Sequence, residues 1–259
     1  MNTMKDGLYS GLDAEFYDEL LEGELDDLPF WKELLKNNPG PALEVGCGTG
    51  RILLPLLKAG HTIDGIDSSK RMVALLHEKA AEAGLAVDAQ VQSMEQLEMS
   101  KTYDLVFIPG FSLQMIDTPE LLKRALQRFY EHLNPGGKLA VSLFFPWEEL
   151  EEDEPGDWRL RKKVKRSDGT RLLCHQSTVI NYEDQSLVVE NRYSLLDNNR
   201  NLVDEEFRDI RLLWFYPHEF HLLLEACGFE LLDTYSDFQD EPMDEQTPHA
   251  VFLARKSEV

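Results

Sequence analysis

Short apolar strands alternate with helical segments five times between residues 42 and 145. The segment Tyr103–Ile108 is almost wholly apolar, as expected of a strand that is covered on both faces. Alternation of this kind places consecutive strands in parallel, because each helix carries the chain back to the starting edge of the sheet. The sequence therefore predicts an α/β fold with a mostly parallel sheet and helices on both faces.

The pattern changes after the fifth predicted strand, Lys138–Phe145. Residues 158–214 contain alternating polar and apolar runs, separated by the turn signals Ser-Asp-Gly, Glu-Asp and Asp-Asn-Asn. These runs predict an antiparallel β insertion. A helix over residues 217–227 and strands over 229–235 and 250–255 then complete a sheet of seven strands.

The chain before the first strand reads as one or two acidic amphipathic helices over residues 12–36, closed by Asn-Asn-Pro-Gly-Pro. Three regions follow from these boundaries. We expect an N-terminal helical cap over residues 1–40, an α/β core over 41–147 and 215–259, and the antiparallel insertion over 148–214.

A glycine-rich turn follows the first strand, in the sequence Leu-Glu-Val-Gly-Cys-Gly-Thr-Gly that ends at Gly50. Glycines at 46, 48 and 50 let the backbone pass close under a ligand. The helix that follows points its free N–H groups into the same space. Dinucleotide sites space their glycines as G-x-G-x-x-G, with a pyrophosphate at the helix N-terminus. The tighter G-x-G-x-G spacing found here suits a ligand without phosphate.

An acidic residue, Asp67, lies 21 residues after Gly46, at the end of the second strand. A carboxylate at this point can accept hydrogen bonds from both hydroxyls of a ribose. Asp64 is the competing acid, but it lies within the strand rather than at its end. A role for Asp67 at the start of the next helix is compatible with ribose binding.

The net charge of −22 argues against a nucleic-acid enzyme, because Lys and Arg supply most of the affinity for a phosphate backbone. Acidic residues are concentrated in residues 13–27 and 148–157. We interpret these two segments as a source of solubility or as an attraction for a cationic substrate. One basic stretch, residues 159–166, is either a solvated strand or a patch for an anionic ligand.

Three scattered cysteines, at 47, 174 and 227, form neither a disulfide framework nor a zinc pattern, so no metal is predicted. The sequence shows no apolar run long enough to span a bilayer and no secretory signal, and we expect a cytoplasmic protein with no membrane partner. The oligomeric state is not predicted.

Four segments together resemble the class I S-adenosylmethionine-dependent methyltransferases over about residues 42–145. They are Glu44–Gly50, Gly65–Ser69 with Met72 following, Tyr103–Phe107, and Leu133–Leu139. The antiparallel insertion after strand five is similar to that of small bacterial members, among them amino-sugar N-methyltransferases. The resemblance implies a Rossmann-like sheet and S-adenosylmethionine as the cofactor.

The resemblance also implies which residues bind that cofactor. The methionine portion would lie over the loop Gly46, Cys47, Gly48, Thr49 and Gly50, with Glu44 orienting its amino group. The ribose would be held by Asp67. The ribose and adenine would be flanked by Ser68 and Met72.

Three further regions complete the implied site. The adenine amino group is often bound by an acid after strand three; here Ser93 stands at that position, and Glu95 or backbone N–H groups beside Met94 are the alternatives. The segment Pro109, Gly110 and Phe111 would lie beside the sulfonium. In the N-terminal cap, Tyr17 resembles a tyrosine that many members fold over the active site.

Methyl transfer from a sulfonium needs mainly alignment and a shielded site, so no catalytic residue is predicted. The segment after strand four lacks the Asn/Asp-Pro-Pro-Tyr/Phe motif of nucleobase amino methylation. We therefore predict a methyltransferase for a small molecule with an amine or hydroxyl acceptor. The alternatives are a cofactor-binding protein without methyl transfer and an NAD-dependent oxidoreductase. Possible acceptor-site residues are Gln114, Trp147, Tyr216 and His218.

Overall fold

The computed structural model describes residues 9–23, 26–151, 156–239, 241, 243–244 and 247–257. The chain divides into two compact units, each made of two segments. One unit contains the described parts of residues 26–145 and 214–259. The other contains the described parts of residues 1–25 and 146–213.

The described residues form helices and strands with the following bounds. The helices are α1 Leu12–Glu15, α2 Tyr17–Leu21, α3 Leu28–Lys36, α4 Leu53–Lys58, α5 Lys70–Glu82, α6 Pro119–His132, α7 Trp147–Glu151 and α8 Pro217–Ala226. The strands are β1 Ala42–Val45, β2 Ile63–Asp67, β3 Asp88–Val91, β4 Tyr103–Ile108, β5 Leu133–Phe144, β6 Arg159–Lys165, β7 Arg171–Asn181, β8 Ser186–Leu196, β9 Leu202–Leu213, β10 Phe229–Ser236 and β11 His249–Lys256. None of the helices within these ranges combines the length and hydrophobicity that a membrane span requires.

Seven strands of the first unit, counted over its described residues, form one sheet in the order β10-β11-β5-β4-β1-β2-β3. β1 pairs in parallel with both β2 and β4, and β4 pairs in parallel with β5. β11 runs antiparallel to its two neighbours, β5 and β10. This arrangement confirms the predicted Rossmann-like, mostly parallel sheet of seven strands.

The central strands are buried because helices cover both faces of the sheet. Every residue of β1 is buried, and the core around it includes Trp31 of α3, Leu53 of α4 and Leu76 of α5. An apolar strand in the middle of a parallel sheet is the expected result of such coverage. The order of the strands places the ends of β1, β2 and β4 side by side, and loops leave the sheet at that edge.

The helix that follows the glycine-rich turn begins at Leu53, so Pro55 falls in its first turn, where a missing backbone N–H does little harm. One predicted boundary shifts. The strand expected from Lys138 begins at Leu133, because Leu133 pairs with Tyr103 before a register shift and the pairing resumes between Leu105 and Lys138.

The second unit is built on a four-stranded antiparallel sheet, within its described residues, in the order β6-β7-β8-β9. This confirms the predicted antiparallel insertion after strand five. Helices α1 and α2 belong to the same unit, and Leu12 and Phe16 pack with Leu172, Cys174 and Tyr193 in its core. The N-terminal segment, predicted as one cap, is thus divided between the two units. Helices α1 and α2 belong to the unit with the antiparallel sheet, whereas α3 belongs to the unit with the parallel sheet.

Opposite charges meet inside this second unit. Arg166, next to the basic strand β6, pairs with Glu15 and Glu19 of the acidic helices at 2.8 and 2.9 Å, and its guanidinium lies 3.6 Å from the centre of the Phe16 ring. Lys162 donates to the carbonyl oxygen of Glu22 at 2.6 Å. Part of the acidic segment and part of the basic segment therefore bind each other within the unit and are not available to an outside ligand.

Candidate functional site

The loop after β1 is held against the end of β2 by backbone hydrogen bonds. The N–H groups of Gly46 and Cys47 both donate to the carbonyl oxygen of Ile66, at 2.8 and 3.0 Å. Gly50 closes the turn by donating to the carbonyl oxygen of Cys47 at 2.9 Å. The loop is therefore preorganised by the protein's own backbone.

Glycine is required in this loop for reasons internal to the protein. Gly46 and Gly50 adopt φ angles of +74° and +89°, which strain any residue with a side chain. A Cβ added at Gly46 would lie 2.5 Å from Oγ of Ser112, and one at Gly50 would lie 2.7 Å from Cγ of Leu54. The glycines of this loop were predicted from ligand approach alone, whereas close packing inside the protein also demands them.

The remaining loop residues present backbone rather than side chains. Cys47 and Thr49 are buried, and Cys47 belongs to the apolar core. Burial raises the pKa of the Cys47 thiol well above its ordinary value, with smaller contributions from Glu44 and Asp67, so this thiol stays protonated. A ligand over the loop would therefore meet peptide groups.

Asp67 joins this loop to the start of α5. Its Oδ2 accepts the N–H of Gly48 at 2.9 Å, and its Oδ1 accepts the N–H of Ser69 at 2.8 Å. Burial raises the pKa of Asp67, and these two hydrogen bonds oppose the rise. A carboxylate has about four lone-pair positions, so each oxygen keeps capacity for one further donor.

The competing acid, Asp64, is committed to the fold. It accepts a hydrogen bond from the Tyr103 hydroxyl at 2.7 Å and pairs with Nζ of Lys101 at 2.6 Å. Burial, followed by the hydrogen bond to Asp64 and then its charge, raises the pKa of Tyr103, so the phenol remains a donor. These contacts separate the two acids: Asp64 anchors β2 to β4, and Asp67 faces the loops.

Glu44 is a buried acid on β1 with an oxygen that lacks a partner. Its exposed fraction is 2%, and Oε2 has no hydrogen bond in the described structure. Burial raises the pKa of Glu44 well above its ordinary value; Arg51 opposes this, and the charges of Asp27 and Asp67 add to it. An unmatched buried carboxyl oxygen is costly unless a ligand supplies the missing donor.

Sequence reasoning did not identify the group of Arg51, Asp27 and Trp31 beside Glu44. Arg51 makes two contacts to the Asp27 carboxylate, one of them Nη2 to Oδ2 at 3.0 Å, and Trp31 Nε1 donates to the same Oδ2 at 2.9 Å. The Arg51 side chain is 27% exposed, whereas Asp27 is fully buried. The only sequence signal was an arginine directly after the third glycine.

A cavity of about 580 Å³ lies beside the ends of β2 and β3. Ser68 and Ser93 line it together with Val91, Gln92, Gln96 and Glu98. The structure thus brings together Ser68, predicted to flank the ribose and adenine, and Ser93, which stands at the position that often binds the adenine amino group. Met94 and Glu95 lie in the short 3-10 helix that follows Ser93 and are partly exposed. Met72 is buried in α5, where the Ser69 hydroxyl caps its N–H at 3.2 Å.

The segment after β4 turns sharply. Gly110 and Phe111 both adopt left-handed backbone angles, with φ of +64° and +63°. Ser112 donates from its hydroxyl to the carbonyl oxygen of Pro109 at 3.2 Å and fills the space in front of Gly46. A left-handed conformation in a residue with a bulky ring is unusual and is found at functional sites more often than elsewhere.

The proposed acceptor-site residues separate into different roles. The structure contradicts the suggestion for Gln114: its amide is buried, donates to the carbonyl oxygen of Phe144 at 2.9 Å and accepts the N–H of Phe144 at 2.7 Å. Tyr216 and His218 lie at the start of α8, and Trp147 begins α7.

Tyr17 lies in α2, with its ring 5.2 Å from that of Tyr9, and its predicted role over the cofactor stays a prediction.

Comparison with known proteins identifies the class of this site. Residues 42–137 match the family model for a methyltransferase domain. Over 257 aligned residues the chain is 25% identical to the provisionally named methyltransferase YqeM of Bacillus subtilis (strain 168), and the match covers 96% of this chain and 98% of that protein.

Two solved structures share the fold over nearly their full length. The CcbJ methyltransferase from Streptomyces caelestis is similar with a TM-score of 0.80 and 23% identity, covering 98% of this chain and 100% of that one. CalS10 from Micromonospora echinaspora, an amino pentose methyltransferase solved with S-adenosylmethionine bound, has a TM-score of 0.71 and 19% identity, covering 98% and 100%. Residues 42–137 therefore form a methyltransferase domain, which supports the predicted S-adenosylmethionine-dependent class and its cofactor.

Proposed function

We propose that this S-adenosylmethionine-dependent methyltransferase transfers the methyl group to an amine or hydroxyl of a small molecule. The observation that carries the proposal is the position of Asp67, whose carboxylate accepts the N–H groups of Gly48 and Ser69 and so lies between the glycine loop and α5. At that position the carboxylate could accept hydrogen bonds from the ribose hydroxyls of a nucleoside bound over the loop.

The donor set fits the cofactor group by group. The buried Oε2 of Glu44 lacks a donor, which suits the α-ammonium of the methionine portion. The partly exposed guanidinium of Arg51 suits the α-carboxylate, because Arg pairs with carboxylates bidentately. Asp67 would hold the ribose, and the cavity between Ser68 and Ser93 would take the adenine. When bound, the cofactor supplies a methyl group that its sulfonium has already activated.

The acceptor is proposed to be a small molecule on grounds of charge and likeness. A net charge of −22 disfavours a nucleic acid, because affinity for a phosphate backbone comes largely from basic residues. CalS10, whose fold this chain shares, is an amino pentose methyltransferase. An amino sugar is therefore the first acceptor to test, with hydroxyl acceptors second. No disulfide joins the three cysteines, all of which lie in the described part of the chain, and this fits the cytoplasmic location we propose.

Calorimetric titration tests the cofactor side of the proposal and separates it from the alternatives. We expect S-adenosylmethionine and S-adenosylhomocysteine to bind at one site and NAD not to bind. NAD binding alone would favour an oxidoreductase. Binding of S-adenosylmethionine without methylation of any member of a panel of amino sugars and hydroxylated aromatic compounds would favour a binding protein.

A further inference from the structure

A histidine that the sequence analysis did not single out lies beside the segment after β4. The His249 ring stacks on the Phe111 ring, with ring centres 5.0 Å apart and planes inclined by 16°. The Phe144 and Phe238 rings lie 6.0 Å from it. Its side chain is 24% exposed. The imidazole is thus enclosed by three aromatic rings but remains accessible.

The reversed direction of β11 explains why His249 is there. β11 runs antiparallel to β5, so its first residue, His249, pairs with the last residue of β5, Phe144. Phe111 follows the end of β4. His249 therefore lies at the edge of the sheet where the parallel strands end, which is where sheets of this type bind ligands.

Asp237 fixes the orientation of the imidazole. Nδ1 of His249 lies 2.9 Å from Oδ1 of Asp237, and the backbone N–H of Asp237 donates to the carbonyl oxygen of His249 at 2.8 Å. Asp237 and Phe238 adopt φ angles of +46° and +61°, so the turn that holds the carboxylate is itself strained. With Nδ1–H donated to Asp237, Nε2 carries the lone pair and can accept a proton.

We propose that His249 is the general base of the methyl transfer and that Asp237 is its positioning residue. This rests on the proposed function. The acceptor nitrogen or oxygen forms a bond to the methyl carbon, and the carbon–sulfur bond breaks with its electron pair left on sulfur. The acceptor's proton passes to Nε2 of His249. The Asp237 carboxylate stabilises the imidazolium that results.

The first experiment needs no acceptor. Because His249 is proposed to face the methyl group that is transferred, its imidazole ring resonances, assigned by their loss in His249→Gln, should differ between the S-adenosylmethionine and S-adenosylhomocysteine complexes. Identical ring resonances in the two complexes, with calorimetry showing that both ligands are bound, would overturn the assignment while leaving the cofactor site intact.

The second experiment uses any acceptor that the wild-type protein methylates. His249→Gln should lower kcat by about 10²-fold and leave the affinity for S-adenosylhomocysteine unchanged. Asp237→Asn should lower kcat with little change in KM, because it favours the wrong tautomer. His61→Gln is the matched control, since His61 precedes β2 at the opposite edge of the sheet. Full kcat in His249→Gln would refute the proposal. If calorimetry detects no cofactor binding by the wild-type protein, the proposed function fails first and this inference falls with it.

Discussion

The carboxylate of Asp67 accepts the backbone N–H of Gly48 at 2.9 Å, across 19 residues of sequence. One side chain thus ties the loop after β1 to the end of β2. The same carboxylate accepts the N–H of Ser69, so the position of the loop and the start of α5 depend on one acid. Loss of that acid should affect both the loop and the binding of the cofactor that we propose it holds.

Asp67→Ala is expected to weaken S-adenosylmethionine binding by about 1–3 kcal/mol, because donors on the protein and on the ribose lose their acceptor. Calorimetric titration measures the change. Asp64→Asn is the control. It removes the negative charge that Tyr103 and Lys101 contact, and it should lower the melting temperature without changing cofactor affinity. An Asp67→Ala protein with wild-type affinity would place the ribose elsewhere.

Glu44→Gln is expected to stabilise the free protein at neutral pH and to weaken cofactor binding. The pKa of Glu44 is higher in the folded protein than the ordinary 4.5, chiefly because of burial. As pH rises above that value, the unfolded chain releases this proton first, so the free energy of unfolding falls until the folded carboxyl also ionises.

Chemical denaturation of both proteins across the pH range checks the sign of the Glu44 effect. The variant should exceed the wild type in stability at pH 7–8, and the difference should disappear by about pH 4, where both states of the wild type hold the proton. Greater stability of the wild type at neutral pH would mean that the carboxylate is already matched in the free protein.

Gly46→Ala should destabilise the protein by about 1–3 kcal/mol, because φ at this position is positive and the new Cβ would meet Oγ of Ser112. Thermal unfolding measures the loss. Adding Ser112→Gly removes the steric part and should restore some of the stability, whereas the backbone part should remain. Complete rescue would show that the backbone angle carries no cost.

Arg166→Gln should lower the stability of the antiparallel unit by about 1 kcal/mol, since it removes ion pairs with Glu15 and Glu19 and the contact with the Phe16 ring. Lys163→Gln, on the same basic run and exposed, should have little effect. In about 1 M salt the difference between Arg166→Gln and wild type should shrink, because exposed ion pairs are screened. An unchanged difference would assign the effect to packing on Phe16 alone.

The parts of the candidate site that the sequence predicts are those encoded locally. Gly46, Gly48 and Gly50 follow a strand directly, and Asp67 ends the next strand, so a short window of sequence displays both. β4 begins and ends at the predicted residues, Tyr103 and Ile108, because an apolar run marks it.

The parts that were missed depend on partners far apart in sequence. Arg51 meets Asp27 across 24 residues, and His249 meets Asp237 across 12. Gln114 looked like an acceptor-site residue because its amide partner, the backbone of Phe144, is 30 residues away. Pairings of this kind are set by strand order and register, and a single sequence does not display them.

The place of β11 in the sheet also bears on synthesis. β11 is made after every other strand in the described part of the sheet, yet it lies between β5 and β10, which are not paired with each other. A nascent chain that has not reached residue 249 therefore has two unpaired strand edges, on β5 and β10, next to its apolar core. Such a chain is prone to aggregation. Synthesis of β11 is therefore needed before the edges of β5 and β10 are covered. The same strand carries His249, which we assign to catalysis.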